Sequence, residues 1–143
     1  MSDDVLKTDA YDLSDQVGFN LRRVNQRHVA IFAKHVDGLT PMQFAALARL
    51  SECGAVSQNK LGRLTAMDSA TIKGVVERLR IKGLVTSRPD QVDQRLHLID
   101  LTPDGKNAFV IARAQALAAR AETVAPLTAD ETRTLEALLA KLV

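Results

Sequence analysis

The chain has no tryptophan, one tyrosine, one cysteine and four prolines in 143 residues, and aromatics make up 3% of it. So few aromatic rings exclude the stacking platforms on which single-stranded nucleic acids are held. The lone Cys53 cannot close an internal disulfide, so the expected setting is a reducing cytoplasm. No apolar run reaches the roughly 18 residues that a membrane span needs. The opening segment MSDDVLKTDAYD is acidic rather than basic-then-apolar, so neither insertion nor secretion is expected. The signatures of a P-loop, a nucleophile elbow, a zinc protease helix and a dithiol motif are also missing, and Asp93, Asp100 and Asp104 fall at turns and helix caps. Neither catalysis nor a cofactor is expected. What remains is ordinary globular composition, 46% hydrophobic and 25% charged, which fits one domain over residues 1–143.

The net charge of +2 hides a strong partition. Residues 1–21 carry five Asp against one Lys, whereas residues 57–88 carry seven basic side chains against Asp68 and Glu77. A basic centre beside an acidic first segment points to a local polyanion site, with a merely solvated face as the competing reading.

Helix punctuation is frequent. Asp12 to about Val36 reads as one long helix with Leu13, Val17, Leu21, Val24, Ile31, Phe32 and Val36 on its apolar positions. Thr40-Pro41 with Gln43 forms a capping box with proline at the first helical position, and Gly54 ends the helix it opens. Ser57 caps a short third helix. Asp68 caps a fourth, where Ile72, Val75, Val76 and Leu79 follow the spacing of one buried face, and Gly83 closes it. The period then changes to two over residues 84–88 and 95–101, two strands around the polar turn PDQVDQ. Thr102-Pro103 opens an Ala-rich fifth helix, and Thr128 with Glu131 opens a sixth.

Short helix, tight turn, second helix and two-stranded ribbon together make a winged helix-turn-helix, the geometry that lays its second helix in a major groove. The expected fold class is mainly α: a winged helix-turn-helix core over residues 40–101, with helices of 11–37 and 102–143 forming a dimerisation layer. The stripes of those outer helices need partners, and a second copy related by a two-fold axis is the economical one; packing on one another in a monomer is the alternative.

The run LRIKGLVTSRPDQVDQRLHLIDLTPDG from Leu79 to Gly105 resembles the wing signature of MarR-type winged helix-turn-helix regulators. The matching features are Lys82–Val85, Arg88-Pro89-Asp90, the Asp93-x-Arg95 pair and Leu101–Gly105. Leu39–Leu47, LTPMQFAAL, is similar to the family's second helix. The segments VNQRHVAIFAKH and LGRLTAMDSATIKGVVERL resemble the branch that controls aromatic-acid catabolism. The resemblance implies a homodimer on double-stranded DNA with a near-palindromic operator, acting as a repressor released by a small-molecule effector, an aromatic acid or its CoA thioester. It also implies that Arg95 enters the minor groove and Asp93 orients it, which suits arginine's long stem and planar charge; a local turn ion pair is the plain alternative.

On the fourth helix, Ser69, Ala70, Thr71 and Lys73, flanked by Arg78, are the candidates for base edges and phosphates. Lys60, Arg63 and Arg88 are candidate phosphate contacts. Mid-helix Gly74, which costs about 1 kcal/mol relative to Ala, invites close approach to a groove or to another helix. On the first helix His28 and His35 interrupt an apolar stripe. They read either as hydrogen-bonded histidines at the dimer boundary or as part of an anion pocket, with Arg27 or His28 meeting a carboxylate and Phe32 or Phe44 its ring. Their seven-residue separation is poor for metal chelation, so no metal is expected. Cys53, beside Glu52, reads as a structural thiol rather than a redox sensor. Two other functions stay open: a constitutive architectural DNA binder, and an interaction module that keeps the shape without the DNA contacts.

Overall fold

A computed structural model describes residues 10–143. Helix α1 covers Val17–His35, α2 Pro41–Cys53, strand β1 Val56–Ser57, α3 Gln58–Leu64, α4 Ser69–Ile81, β2 Val85–Pro89, β3 His97–Leu101, α5 Pro103–Thr123 and α6 Ala129–Lys141. No helix among the described residues is long and apolar enough to cross a membrane.

Each cap read from the sequence closes in three dimensions. Thr40 and Thr128 both complete reciprocal capping boxes, with Gln43 and Glu131 returning to the cap N–H. Ser57, Asp68 and Thr102 accept from the backbone N–H of Lys60, Thr71 and Gly105. These bonds satisfy donors that a helix start otherwise leaves unpaired. The first helix departs from expectation. Asp12 caps a short 3-10 turn over Leu13–Asp15, Gln16 is extended, and the α-helix begins only at Val17.

The sheet has order β1-β3-β2 and is antiparallel throughout, with Val85 opposite Leu101, Ser87 opposite Ile99 and Val56 opposite Ile99 across the other edge. Strand β1 has no counterpart in the sequence reading, because two residues are too few to display a period. The ribbon residues are Val85–Pro89 and His97–Leu101, a shift of one or two residues from the alternation.

Two apolar clusters hold the chain together. The larger joins Ala46, Leu47 and Leu50 of α2, Leu61 of α3, Ile72, Val75, Val76 and Leu79 of α4, and Val56, Val85, Ile99 and Leu101 of the sheet. The smaller packs Ile31, Phe32 and Val36 of α1 on Ala112 and Ala119 of α5. Small residues on α5 let α1 lie close against it. Leu39, in the connection between α1 and α2, packs on both clusters. Inside the helix-turn-helix, Gly62 lets α3 approach α4, since a Cβ there would stand 3.1 Å from the Met67 carbonyl and 3.2 Å from Ile72 Cγ2. The reading of Cys53 as a structural thiol needs correction. It follows Leu50 by three residues, but the last turn of α2 has run past the core and the thiol is exposed.

Candidate nucleic-acid interface

Helix α4 presents two unlike faces. Ile72, Val75, Val76 and Leu79 are buried, while Ser69, Ala70, Lys73 and Arg78 are exposed and Thr71 is half-buried. A Cβ added at Gly74 would meet no heavy atom within 4 Å, so intramolecular helix packing does not explain that glycine. It belongs to the outward face, where a groove wall could come close. At the helix start, Asp68 Oδ1 accepts from the Thr71 N–H at 2.7 Å. The Thr71 backbone N–H and hydroxyl hold the Asp68 carboxyl below its ordinary range, so this cap stays ionised. Farther along, Glu77 is paired with Arg80 at 2.7 Å. Its acidity is thus offset within the helix, and Lys73 and Arg78 keep the outer face basic.

The wing reaches beyond the body as a tight turn. Asp90 N–H donates to the Leu96 carbonyl and Leu96 N–H to the Asp93 carbonyl. Asp93 Oδ1 accepts from the Arg95 backbone N–H and from Nε, each at 3.1 Å. The Arg95 guanidinium holds the Asp93 carboxyl below the usual carboxylate range. Arg95 nonetheless leaves 90% of its side chain in solvent. A surface pair contributes little stability, but it fixes the direction of the stem. Val92 is 95% exposed at the same tip, a feature the sequence reading passed over. Lys60 and Arg63 of α3 are exposed near the helix-turn-helix. Arg88 differs from them: it leans across the ribbon toward Asp100 at 3.5 Å, so part of its charge is met within the wing.

The residues read as a ligand pocket divide. Arg27 donates to the Thr123 and Glu122 carbonyls at 2.7 and 3.1 Å, closing the C-terminal end of α5, and it also lines the groove between α1 and the α5–α6 turn. A cation there also meets the negative end of the helix dipole. His28 Nδ1 lies 2.8 Å from Thr123 Oγ1, and His35 Nε2 lies 3.1 Å from Glu122 Oε1. The two histidines are hydrogen-bonded groups tying α1 to α5. Lys34 joins the same Glu122, and these two partners hold its carboxyl below the ordinary glutamate range. His28, Phe32, Phe44 and Phe109 form a ladder of rings with centroids 6.2, 5.9 and 5.7 Å apart. Phe32 is buried in it, while Phe44 and Phe109 are half-buried and stacked. Phe109 was not among the expected residues, because nothing in the Ala-rich α5 segment marks which turn faces α2.

The outer helices leave apolar surface uncovered. Val24, Leu135, Leu138 and Leu139 are 38–56% exposed. Val24 with Val124, Pro126, Leu127, Leu135 and Leu138 lines an apolar groove of about 630 Å³ between α1 and the α5–α6 turn.

A basic, outward-facing helix cradled by a second helix and flanked by an arginine-tipped ribbon has the architecture of a winged-helix DNA-binding regulator. The family model for the MarR family matches residues 37–96. The chain is 44% identical over 97 residues to the HTH-type transcriptional repressor NicR of Pseudomonas putida, an alignment covering 66% of this chain and 61% of NicR. It superposes on the crystal structure of a probable transcriptional regulator from Pseudomonas aeruginosa with TM-score 0.90 and 50% identity, covering 92% of this chain and all of that one. It also superposes on Bordetella bronchiseptica BpsR, whose structure concerns regulation of DNA binding by 6-hydroxynicotinic acid, with TM-score 0.88, 38% identity and coverage of 93% and 96%. The chain belongs to the MarR family of transcriptional regulators.

Proposed function

We propose that the protein is a homodimeric repressor that binds a near-palindromic operator and is released by a small aromatic carboxylate. The observation that carries the DNA reading is Arg95, held in direction by Asp93 yet 90% exposed at the wing tip. In this reading α4 enters the major groove with Ser69, Ala70, Thr71, Lys73 and Arg78, and Arg95 enters the adjacent minor groove. Lys60 and Arg63 contact phosphate, and Arg88 does so with the part of its charge that Asp100 leaves unmet.

A second copy covers the apolar groove and the open leucines of α6. That gives a two-fold axis and half-sites about one helical turn apart. The effector class rests on the half-buried rings of Phe44 and Phe109 with His28 at the end of the same ladder, and on BpsR, which is linked to 6-hydroxynicotinic acid. Arg27 and His28 both hold hydrogen bonds to the end of α5, so either one turns from Glu122 or Thr123 to meet the carboxylate. Ligand-induced release is a population shift, and moving a 1:99 equilibrium to 99:1 needs about a 10⁴-fold difference in affinity between states.

Fluorescence anisotropy on a duplex that the protein itself enriches from a random-sequence pool tests both parts. Arg95→Ala should lower affinity, and 6-hydroxynicotinic acid or a related ring acid should dissociate the complex. Binding that Arg95→Ala leaves untouched overturns the wing assignment; binding that no aromatic acid disturbs overturns the effector class.

A further inference from the structure

We propose that Lys82 is a positioning residue for DNA reading: a strut that fixes the angle of the recognition helix against the connection between α1 and α2. The proposal rests on the reading of α4 as that helix. Lys82 forms the C-terminal cap of α4, where its backbone N–H returns to the Arg78 carbonyl. Its side chain does not point along the basic outer face. Instead Nζ donates to the Gly38 carbonyl and, at 3.1 Å, to Gln43 Oε1. Gly38 lies in the α1–α2 connection with φ +76°. Gln43 is 5% exposed, and the same Oε1 also accepts the Thr40 N–H that begins α2.

The placement is electrostatically specific. A cation suits the C-terminal end of α4 but opposes the positive end of the α2 dipole. It is tolerated at α2 because two uncharged oxygens receive it, and charge-assisted bonds of this kind are directional. The same turn is gripped from its other side. Thr102 Oγ1 donates to the Gly83 carbonyl at 2.6 Å, and Thr102 N–H to the Leu84 carbonyl. The base of the recognition helix is therefore fastened both to the segment leaving α1 and to the start of α5. Those are the two helices of the outer layer that also pack on each other. A change in how α1 and α5 sit bears directly on the base of α4 through this turn, and Lys82 is its contact on the α1 side.

The experiment compares wild type, Lys82→Met, Lys82→Arg and Gln43→Glu on a duplex enriched by the wild-type protein from a random-sequence pool, over a range of salt. Lys82→Met should lower the melting temperature by only a few degrees and keep the log–log salt slope, yet bind up to about tenfold more weakly, the scale of one charge-assisted hydrogen bond. Lys82→Arg should restore much of the loss. Gln43→Glu keeps the capping box and gives the ammonium a carboxylate, so binding should hold or tighten. A Lys82 that contacts phosphate behaves otherwise: Lys82→Met lowers the slope by about one per subunit, and Gln43→Glu weakens binding by drawing the ammonium away. Either result overturns the proposal, as does unchanged affinity in Lys82→Met. Native-state hydrogen exchange supplies a readout without DNA, since Lys82→Met should loosen residues 80–84 and 37–40 while Leu47, Leu50 and Leu61 stay protected. If the wild type enriches no duplex, the regulator reading fails, and the exchange comparison still decides whether Lys82 holds the turn.

Discussion

In the winged-helix core, Leu47, Leu50, Leu61, Ile72 and Leu79 are all fully buried, whereas in α6 Leu135, Leu138 and Leu139 remain 38–53% exposed. Both regions are built from helices with equally clear caps and stripes. They differ in that the core closes on itself through three layers, α2, the α3–α4 pair and the sheet, while among the described residues nothing fully covers the leucines of α6. The first region can hold its shape as a single copy. The second has part of its apolar face directed outward. In the proposed dimer, such a division joins a closed reading head to a layer whose geometry depends on assembly.

The largest test of that contrast is Leu47→Ala. Removing a fully buried leucine from the core should cost about 2–5 kcal/mol, read as a lower denaturant midpoint with unchanged slope. A loss under 1 kcal/mol would mean the core is not closed in the way described. Gly105→Ala comes next. A Cβ there would stand 1.9 Å from the Leu84 carbonyl oxygen, a backbone atom that cannot rotate away. The start of α5 must then move off the recognition-helix turn, at about 1–3 kcal/mol as for other overpacked sites, with operator affinity falling as well.

Leu138→Asp tests the other region. It should leave the melt of the core largely intact while converting a dimer to a monomer in sedimentation and weakening operator binding. A variant that stays dimeric would show that the α6 face is not the contact. Thr40→Ala and Thr128→Ala remove the same motif from the two regions. The first should cost about 1 kcal/mol of global stability, whereas the second should mainly fray α6, visible as faster hydrogen exchange over residues 129–133.

The smallest effect is the response to acid. Asp68, Asp93 and Glu122 are all held below their ordinary values by hydrogen bonds. A carboxyl depressed in the folded state stabilises above its unfolded value and loses that contribution as pH falls through the folded one. Wild type should therefore lose stability below the ordinary carboxylate range, and Asp68→Asn and Glu122→Gln should each flatten that limb. A difference from wild type that grows on acidification would contradict the assigned bonds.

Most helices could be read from the chain because their starts are local events. Thr40 with Gln43, Ser57 with Lys60, Asp68 with Thr71 and Thr128 with Glu131 each close a bond between residues three apart. Two-residue β1 was beyond such a reading, and so was the break at Gln16, where the 3-10 turn over Leu13–Asp15 keeps the apolar spacing but not the helix. Within the site, the wing pair was legible because Asp93 and Arg95 are neighbours. Arg27 was assigned to a ligand because its charge stood beside an apolar stripe. The bonds it makes in the fold, to the carbonyls of Glu122 and Thr123, reach 95 and 96 residues along the chain.

The sequence by itself determined where the helices after the first one start, which face of α4 is buried, and that Asp93 and Arg95 pair in the wing, since each depends on residues a few positions apart. Only the tertiary structure decided that Arg27 closes α5, that Phe109 completes the ring ladder, and that Lys82 crosses 44 residues of chain to reach Gly38. Those pairings depend on how whole helices cross. Crossing is set by the summed packing of both apolar clusters, which no local spacing encodes.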